Sequence, residues 1–229
     1  MIIAAIRRKE RSNVSKNLYS LLLDDEVVRA VDRAALARGL SRSALCNLVL
    51  AEFAGVLTPE ERIRRIFRKL DEYVGQGGDI VAFPVENRPV MSLKSSLEYK
   101  YRPTIRYEVE LYRAPGEDLG EISVIFRTQS RALTEAVTAF FRLWCRLENA
   151  YLTPLGRGEI TYALSGGRLR RAIRPIREED RDPEVLSRRL ADYITLLDSL
   201  MKKTIRGEIG EEELEERYAA GLRAGIGLL

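Results

Sequence analysis

Histidine does not occur in this chain. Its absence removes the usual general base, the usual switch near neutral pH and the commonest metal ligand at once. Cysteine is nearly absent as well, with Cys46 and Cys145 the whole supply of thiols. Each falls inside an apolar helical pattern, so inert buried thiols are expected in place of a disulfide or redox pair. The apolar stretch Met1 to Ile6 is far too short for a signal segment or a membrane span, and Arg7, Arg8 and Lys9 follow it at once. A cytoplasmic protein without a membrane partner is the expectation. No phosphate loop, dinucleotide fingerprint or metal-ligand spacing can be found, and nothing is present to activate a nucleophile. Glu108 and Glu110 share one strand face, where carboxylates ordinarily solvate a sheet. These gaps argue against an enzyme and imply no cofactor and no metal.

What the chain does have is length, charge and pattern. Its 229 residues allow one large or two ordinary domains, and two are expected. A hydrophobic fraction of 45% beside 31% charged residues excludes wholesale disorder. Basic residues number 38 against 34 acidic, for a net charge of +4. Most are Arg, the side chain suited to forked contacts with phosphate, so the balance tilts toward polyanions.

The most informative stretch is Lys16 to Phe53. Leu18 to Leu23 reads as one strand, with Asp24 placed to cap a helix in which Val27, Val28, Val31, Ala34 and Ala35 recur at helical spacing. Gly39 is the expected left-handed stop, and Ser41 caps a second helix bearing Leu45, Leu48, Val49 and Phe53. A lone strand has no partner for its backbone groups, and a unit of roughly 40 residues is too small to stand alone. A second copy of the chain supplies the partner, so a homodimer through the residue 18–23 strand is expected. A two-stranded ribbon of that kind fits the major groove of double-stranded DNA.

These residues resemble the ribbon-helix-helix family of DNA-binding proteins, which are dimeric bacterial and plasmid regulators. The likeness rests on the alternating strand ending Leu23-Asp24-Asp25-Glu26-Val27-Val28, the Gly39-Leu40-Ser41-Arg42-Ser43 turn and the apolar helix after it. It covers under a fifth of the chain. It implies that Tyr19, Leu21 and Leu23 point into a dimer core, while Lys16, Leu18, Ser20 and Leu22 face outward, where family members read base edges. Bidentate base readout needs Arg, Lys, Asn or Gln, and Lys16 is the one such residue on that face. Leu18 and Leu22 suit thymine methyl groups, or the face packs against another part of the protein. Ser41, Arg42 and Ser43 begin the second helix, whose free N–H groups and dipole make a phosphate anchor; equally, they form an ordinary capped first turn.

The rest of the chain reads in order. Residues 1–15 are a basic arm, either a phosphate contact or a solvated tail. Residues 16–57 are the ribbon-helix-helix domain. Residues 58–78 hold a connecting helix and linker, started by Thr58-Pro59-Glu60-Glu61 and carrying a basic face. Residues 79–229 are an α+β domain. Within it, Met91 to Tyr101, Ile105 to Leu111 and Ile122 to Phe126 alternate as an antiparallel meander. A helix from Ser130 to about Leu152 covers that meander with an aromatic stripe. A hairpin around Ser165-Gly166-Gly167-Arg168 and two further helices, from Asp182-Pro183 and from Glu211, complete the chain. The fold class expected is mainly α with an α+β C-terminal part. Arg168, Arg170, Arg171, Arg174 and Arg177 mark a second basic patch, which either meets a nucleic acid or anionic ligand or pairs within the chain.

Two functions compete. One is a sequence-specific DNA-binding dimer, a transcriptional regulator whose C-terminal domain oligomerises further or senses a small-molecule or protein effector. The other is a non-enzymatic dimeric scaffold that uses the ribbon-helix-helix unit for assembly alone.

Overall fold

The computed structural model describes residues 17–76, 80–84, 89–98, 103–155, 160–175 and 177–226. The first elements are two short helices, α1 (Asp25–Ala37) and α2 (Arg42–Phe53), folded back on each other about a turn at Gly39, whose φ of 63° is the left-handed conformation glycine tolerates. Between them Ala35 and Leu45 become buried. Asp24 stands before α1, but its side chain accepts no backbone N–H; Ser41 does cap α2.

Helix α3 (Pro59–Gly75) begins where Thr58 accepts the Glu61 N–H and proline occupies the first helical position. Its stripe of Ile63, Ile66, Leu70 and Val74 belongs to the main core. Strands β1 (Ile80–Pro84), β2 (Val90–Ser96), β3 (Thr104–Leu111) and β4 (Gly120–Phe126) follow as an antiparallel run. Helix α4 (Arg131–Leu152) intervenes before the hairpin of β5 (Tyr162–Ser165) and β6 (Arg168–Ile173). Helices α5 (Pro183–Ile205) and α6 (Glu211–Arg223) close the described chain. The strands form one sheet in the order β1-β2-β3-β4-β6-β5.

This corrects the mainly α expectation. The core is carried by a six-stranded antiparallel sheet, with helices before it, within it and after it in sequence. Two of the additions have simple causes. Ile80-Val81-Ala82-Phe83-Pro84 holds no polar residue, so the period of two that marks a half-buried strand is invisible there. The β5–β6 hairpin extends the meander because β6 pairs with β4, placing Leu169 opposite Val124. A second correction concerns residues 18–23. They carry no regular structure, and no backbone group among the described residues pairs with theirs.

One face of the sheet is buried. Met91, Leu93, Ile105, Tyr107, Val109, Ile122, Val124, Leu169 and Ile173 point into a core shared with Phe141 and Trp144 of α4 and with Leu190, Ile194, Leu197 and Met201 of α5. Pleat alternation sends Lys94, Arg106, Glu108, Glu110, Glu121, Arg168 and Arg170 to the opposite face. At Gly120 the ladder runs so close that a Cβ there would collide with the Glu110 carbonyl oxygen, so only glycine starts β4 without a shift.

Candidate functional site

Residues 17–24 lead into α1 without regular structure, and every one of them is exposed. Leu18 is 97% exposed, and Ser20 and Leu22 lie open beside it. Tyr19, Leu21 and Leu23, the set the resemblance turns inward, are exposed too. Lys16 and the basic arm fall outside the described residues. The apolar exposure continues through both helices: Val27, Leu36, Val49, Leu50, Phe53, Val56 and Leu57 all face solvent, and Phe53 is 92% exposed. No residue of α1 or α2 enters the main core. Surface leucines scattered singly need no explanation, whereas exposed apolar side chains gathered as densely as these call for one.

The start of α2 is more occupied than the sequence suggests. Ser41 Oγ accepts the Ala44 N–H at 3.2 Å and lies 3.2 Å from Ser43 Oγ. Arg42 reaches back to α1, where its Nε donates to Asp32 Oδ1 and its Nη2 to Oδ2, both at 2.6 Å. Hydrogen bonding from Arg42 holds the Asp32 carboxyl below its ordinary pKa, and the same bonds raise the Arg42 guanidinium. Both side chains are about half exposed, so the pair sits in high dielectric. Ser43 is exposed next to it.

The arginine cluster on β6 does not form one patch. Arg168 lies on the outer face, donating to Ser123 Oγ at 3.2 Å and standing 3.6 Å from Glu108. Arg170 is on the same face, diagonal to Glu121. Burial raises the Glu121 carboxyl above its ordinary value, Arg170 opposes that shift, and Glu110, directly across the ladder, adds to it. Arg174 pairs with Asp118 at 2.8 Å, and Arg177 with Glu179 at 3.1 Å. Arg171 points the other way, into the core. It is 1% exposed, its Nε donates to both oxygens of Glu148 at 3.0 Å, and its guanidinium lies 4.7 Å from the centre of the Tyr193 ring. Burial alone would lower the Arg171 pKa; the adjacent Glu148 carboxylate outweighs it and holds the guanidinium above its ordinary value.

Glu148 was not visible as a site residue, because its partner is brought to it by tertiary structure. It also accepts from Tyr162 Oη at 2.7 Å, tying α4 to β5 as well as β6. A second buried group centres on Asp198 of α5, which accepts from Ser95 Oγ at 3.0 Å and Tyr107 Oη at 2.8 Å and pairs with Lys202 at 2.7 Å. Burial, and then the Asp198 charge, push the Tyr107 hydroxyl well above its ordinary pKa. A cavity of about 250 Å³ opens beside this group between α5, the end of α3 and the start of β1, with Thr195, Ser199, Lys203 and Arg206 among its lining. Arg206 is drawn outward to Glu208 at 2.6 Å.

Both cysteines are free thiols; Cys145 is buried, which pushes its pKa up to about 12. Among the described residues, no cluster of three or more acidic or cysteine side chains is placed to hold a metal ion. Nor is any described helix long and apolar enough to cross a membrane. No family model, curated protein or solved structure matches the chain.

Proposed function

We propose that the protein is a homodimeric, sequence-specific DNA-binding protein of the cytoplasm, acting as a transcriptional regulator or repressor. Two copies pair their residue 18–23 segments into a ribbon that enters the major groove of double-stranded DNA, while Ser41, Arg42 and Ser43 meet the phosphates beside it. The sheet-bearing body then oligomerises further or responds to an effector. The observation that carries this reading is the wholly exposed segment 17–24, whose residues 18–23 pair with no backbone group among the described residues, continuous with the exposed apolar side chains of α1 and α2. A backbone segment lacking partners and an apolar surface of that extent are both satisfied by a second copy. The arginine excess supports the polyanion side of the proposal.

The test is duplex binding measured against salt on a genomic fragment library. Binding should weaken linearly in log K against log salt, with a slope of about −0.9 for each phosphate neutralised. Absence of binding to any fragment at low salt would remove DNA from the proposal.

A second reading is favoured by one observation: Leu18 and Leu22 stand where polar base-reading side chains are expected. On that reading the hairpin is an assembly module of a scaffold. Ser20→Ala, Leu22→Ala and Arg42→Ala would then leave activity intact, while removal of residues 1–57 would destroy assembly. Loss of DNA affinity in the three point variants decides against it.

A further inference from the structure

Arg42 has five N–H donors arranged in a planar fork, and Asp32 uses only one edge of that fork. The Nε–Nη2 edge is taken by the two carboxylate oxygens. Among the described residues the Nη1–Nη2 edge meets no acceptor, and Arg42 is about half exposed. A long arginine on a surface ordinarily samples many rotamers, and fixing it costs entropy when a ligand binds. A carboxylate ten residues away on the facing helix removes much of that freedom beforehand.

We infer that Asp32 is a positioning residue for Arg42: it grips the guanidinium by one edge so that the other is presented, preoriented, to a DNA phosphate. This rests on the DNA-binding reading and adds a residue that does not itself touch the nucleic acid. The chemistry fits, because a guanidinium edge matches the two oxygens of a phosphate as it matches those of a carboxylate. The idea runs against simple electrostatics. Removing a negative charge from a DNA-binding surface normally tightens binding, and the positioning role predicts the reverse.

The experiment uses the full-length protein with three changes, Asp32→Asn, Arg42→Ala and the pair together, plus Glu52→Gln as a charge control at the far end of α2. Duplex affinity is measured across a salt series, and the dimer dissociation constant is measured separately. Asp32→Asn should weaken binding about threefold to tenfold and make the salt slope shallower by about 0.9 per protomer, as expected when one phosphate contact is lost. The dimer constant should stay unchanged, which separates positioning from a structural role. In the Arg42→Ala background, Asp32→Asn should cause no further loss, and Glu52→Gln should bind as tightly as the parent or more tightly. Equal or tighter binding by Asp32→Asn overturns the inference, as does a loss that persists without Arg42 or that tracks a weakened dimer. If the parent protein binds no duplex at low salt, the DNA-binding reading itself fails, a result distinct from all of these.

Discussion

Arg171 and Arg42 each hold one carboxylate with two hydrogen bonds, and they belong to the two halves of this molecule. Arg171 grips Glu148 under the sheet, where both side chains are sealed from water. Arg42 grips Asp32 on the hairpin, where both are half exposed. The contact is nearly the same and its meaning differs. Inside the body water does not compete for the pair, and either charge without the other would be a heavy penalty. On the α1–α2 hairpin water screens it, so the pair adds little to stability, while the second edge of the guanidinium stays within reach of a ligand. Apolar residues tell the same story: Phe141 of α4 is fully buried, while Phe53 of α2 is almost fully exposed. The body buries most of its large apolar side chains, with Val81, Phe83 and Leu155 as exceptions, whereas the α1–α2 hairpin leaves most of its own exposed.

The sharpest way to break the comparison is at Glu148. Replacing it by Leu removes the carboxylate that receives two hydrogen bonds from the buried Arg171, and should cost about 3–5 kcal/mol in a denaturant melt. The double variant Glu148→Leu/Arg171→Met should recover most of that loss; failure to recover would mean the site matters for shape more than charge. Next come the phenylalanines. Phe141→Ala should destabilise by about 3–5 kcal/mol through a core cavity. Phe53→Ala should leave the body's unfolding transition within about 0.5 kcal/mol while shifting self-association, read by sedimentation at several concentrations. A large stability loss from Phe53→Ala would show that the hairpin is part of the body after all.

The smallest effect expected is on the outer sheet face. Glu110 and Glu121 oppose each other directly across β3 and β4, a like-charge pair of the kind that costs up to about 1 kcal/mol. The folded pKa of Glu121 is raised, so its ionisation opposes folding: the penalty is present at neutral pH and disappears as pH falls below the folded value. Glu121→Gln should therefore raise the melting temperature slightly at pH 7, and the gain should vanish toward pH 4. A gain that persists in acid would point to packing instead of charge.

Much of this was legible in residue spacing, and what was not has identifiable causes. Caps and stripes mark α3, α4 and α5 well, because Thr58, Ser130 and Asp182 satisfy free N–H groups and the buried faces repeat at helical intervals, while α6 follows Gly210 without a side-chain cap. The inward placement of Arg171 could also have been read, since it alternates with Leu169 and Ile173 on one strand face. Treating the five arginines as one patch ignored that period of two. Asp198 and Lys202 stand four apart among the buried residues of α5, which foretells their pairing; that Ser95 and Tyr107 also converge on Asp198 depends on sheet register and could not be foreseen. Strand β1 hid because all its residues are apolar. The 18–23 segment, Leu-Tyr-Ser-Leu-Leu-Leu, is as apolar as a strand, but no backbone group among the described residues pairs with it. Local pattern indicates what a segment prefers, and only hydrogen-bond supply decides whether it gets it.

The bond from Tyr162 to Glu148 has a consequence for how the sheet opens. Edge strands usually fray, and their amide hydrogens exchange with solvent through brief local openings. At the β5 edge, Tyr162 is tied to the same carboxylate that holds Arg171 of β6 and belongs to α4, so separating this edge means breaking a hydrogen bond to a buried charge pair. The opposite edge, β1, is Ile-Val-Ala-Phe-Pro and has no polar side chain with which to make such a tie. The two borders of one sheet should therefore exchange on different clocks: β1 amides by local fluctuation, and β5 amides more slowly, through openings that also release Tyr162 from Glu148.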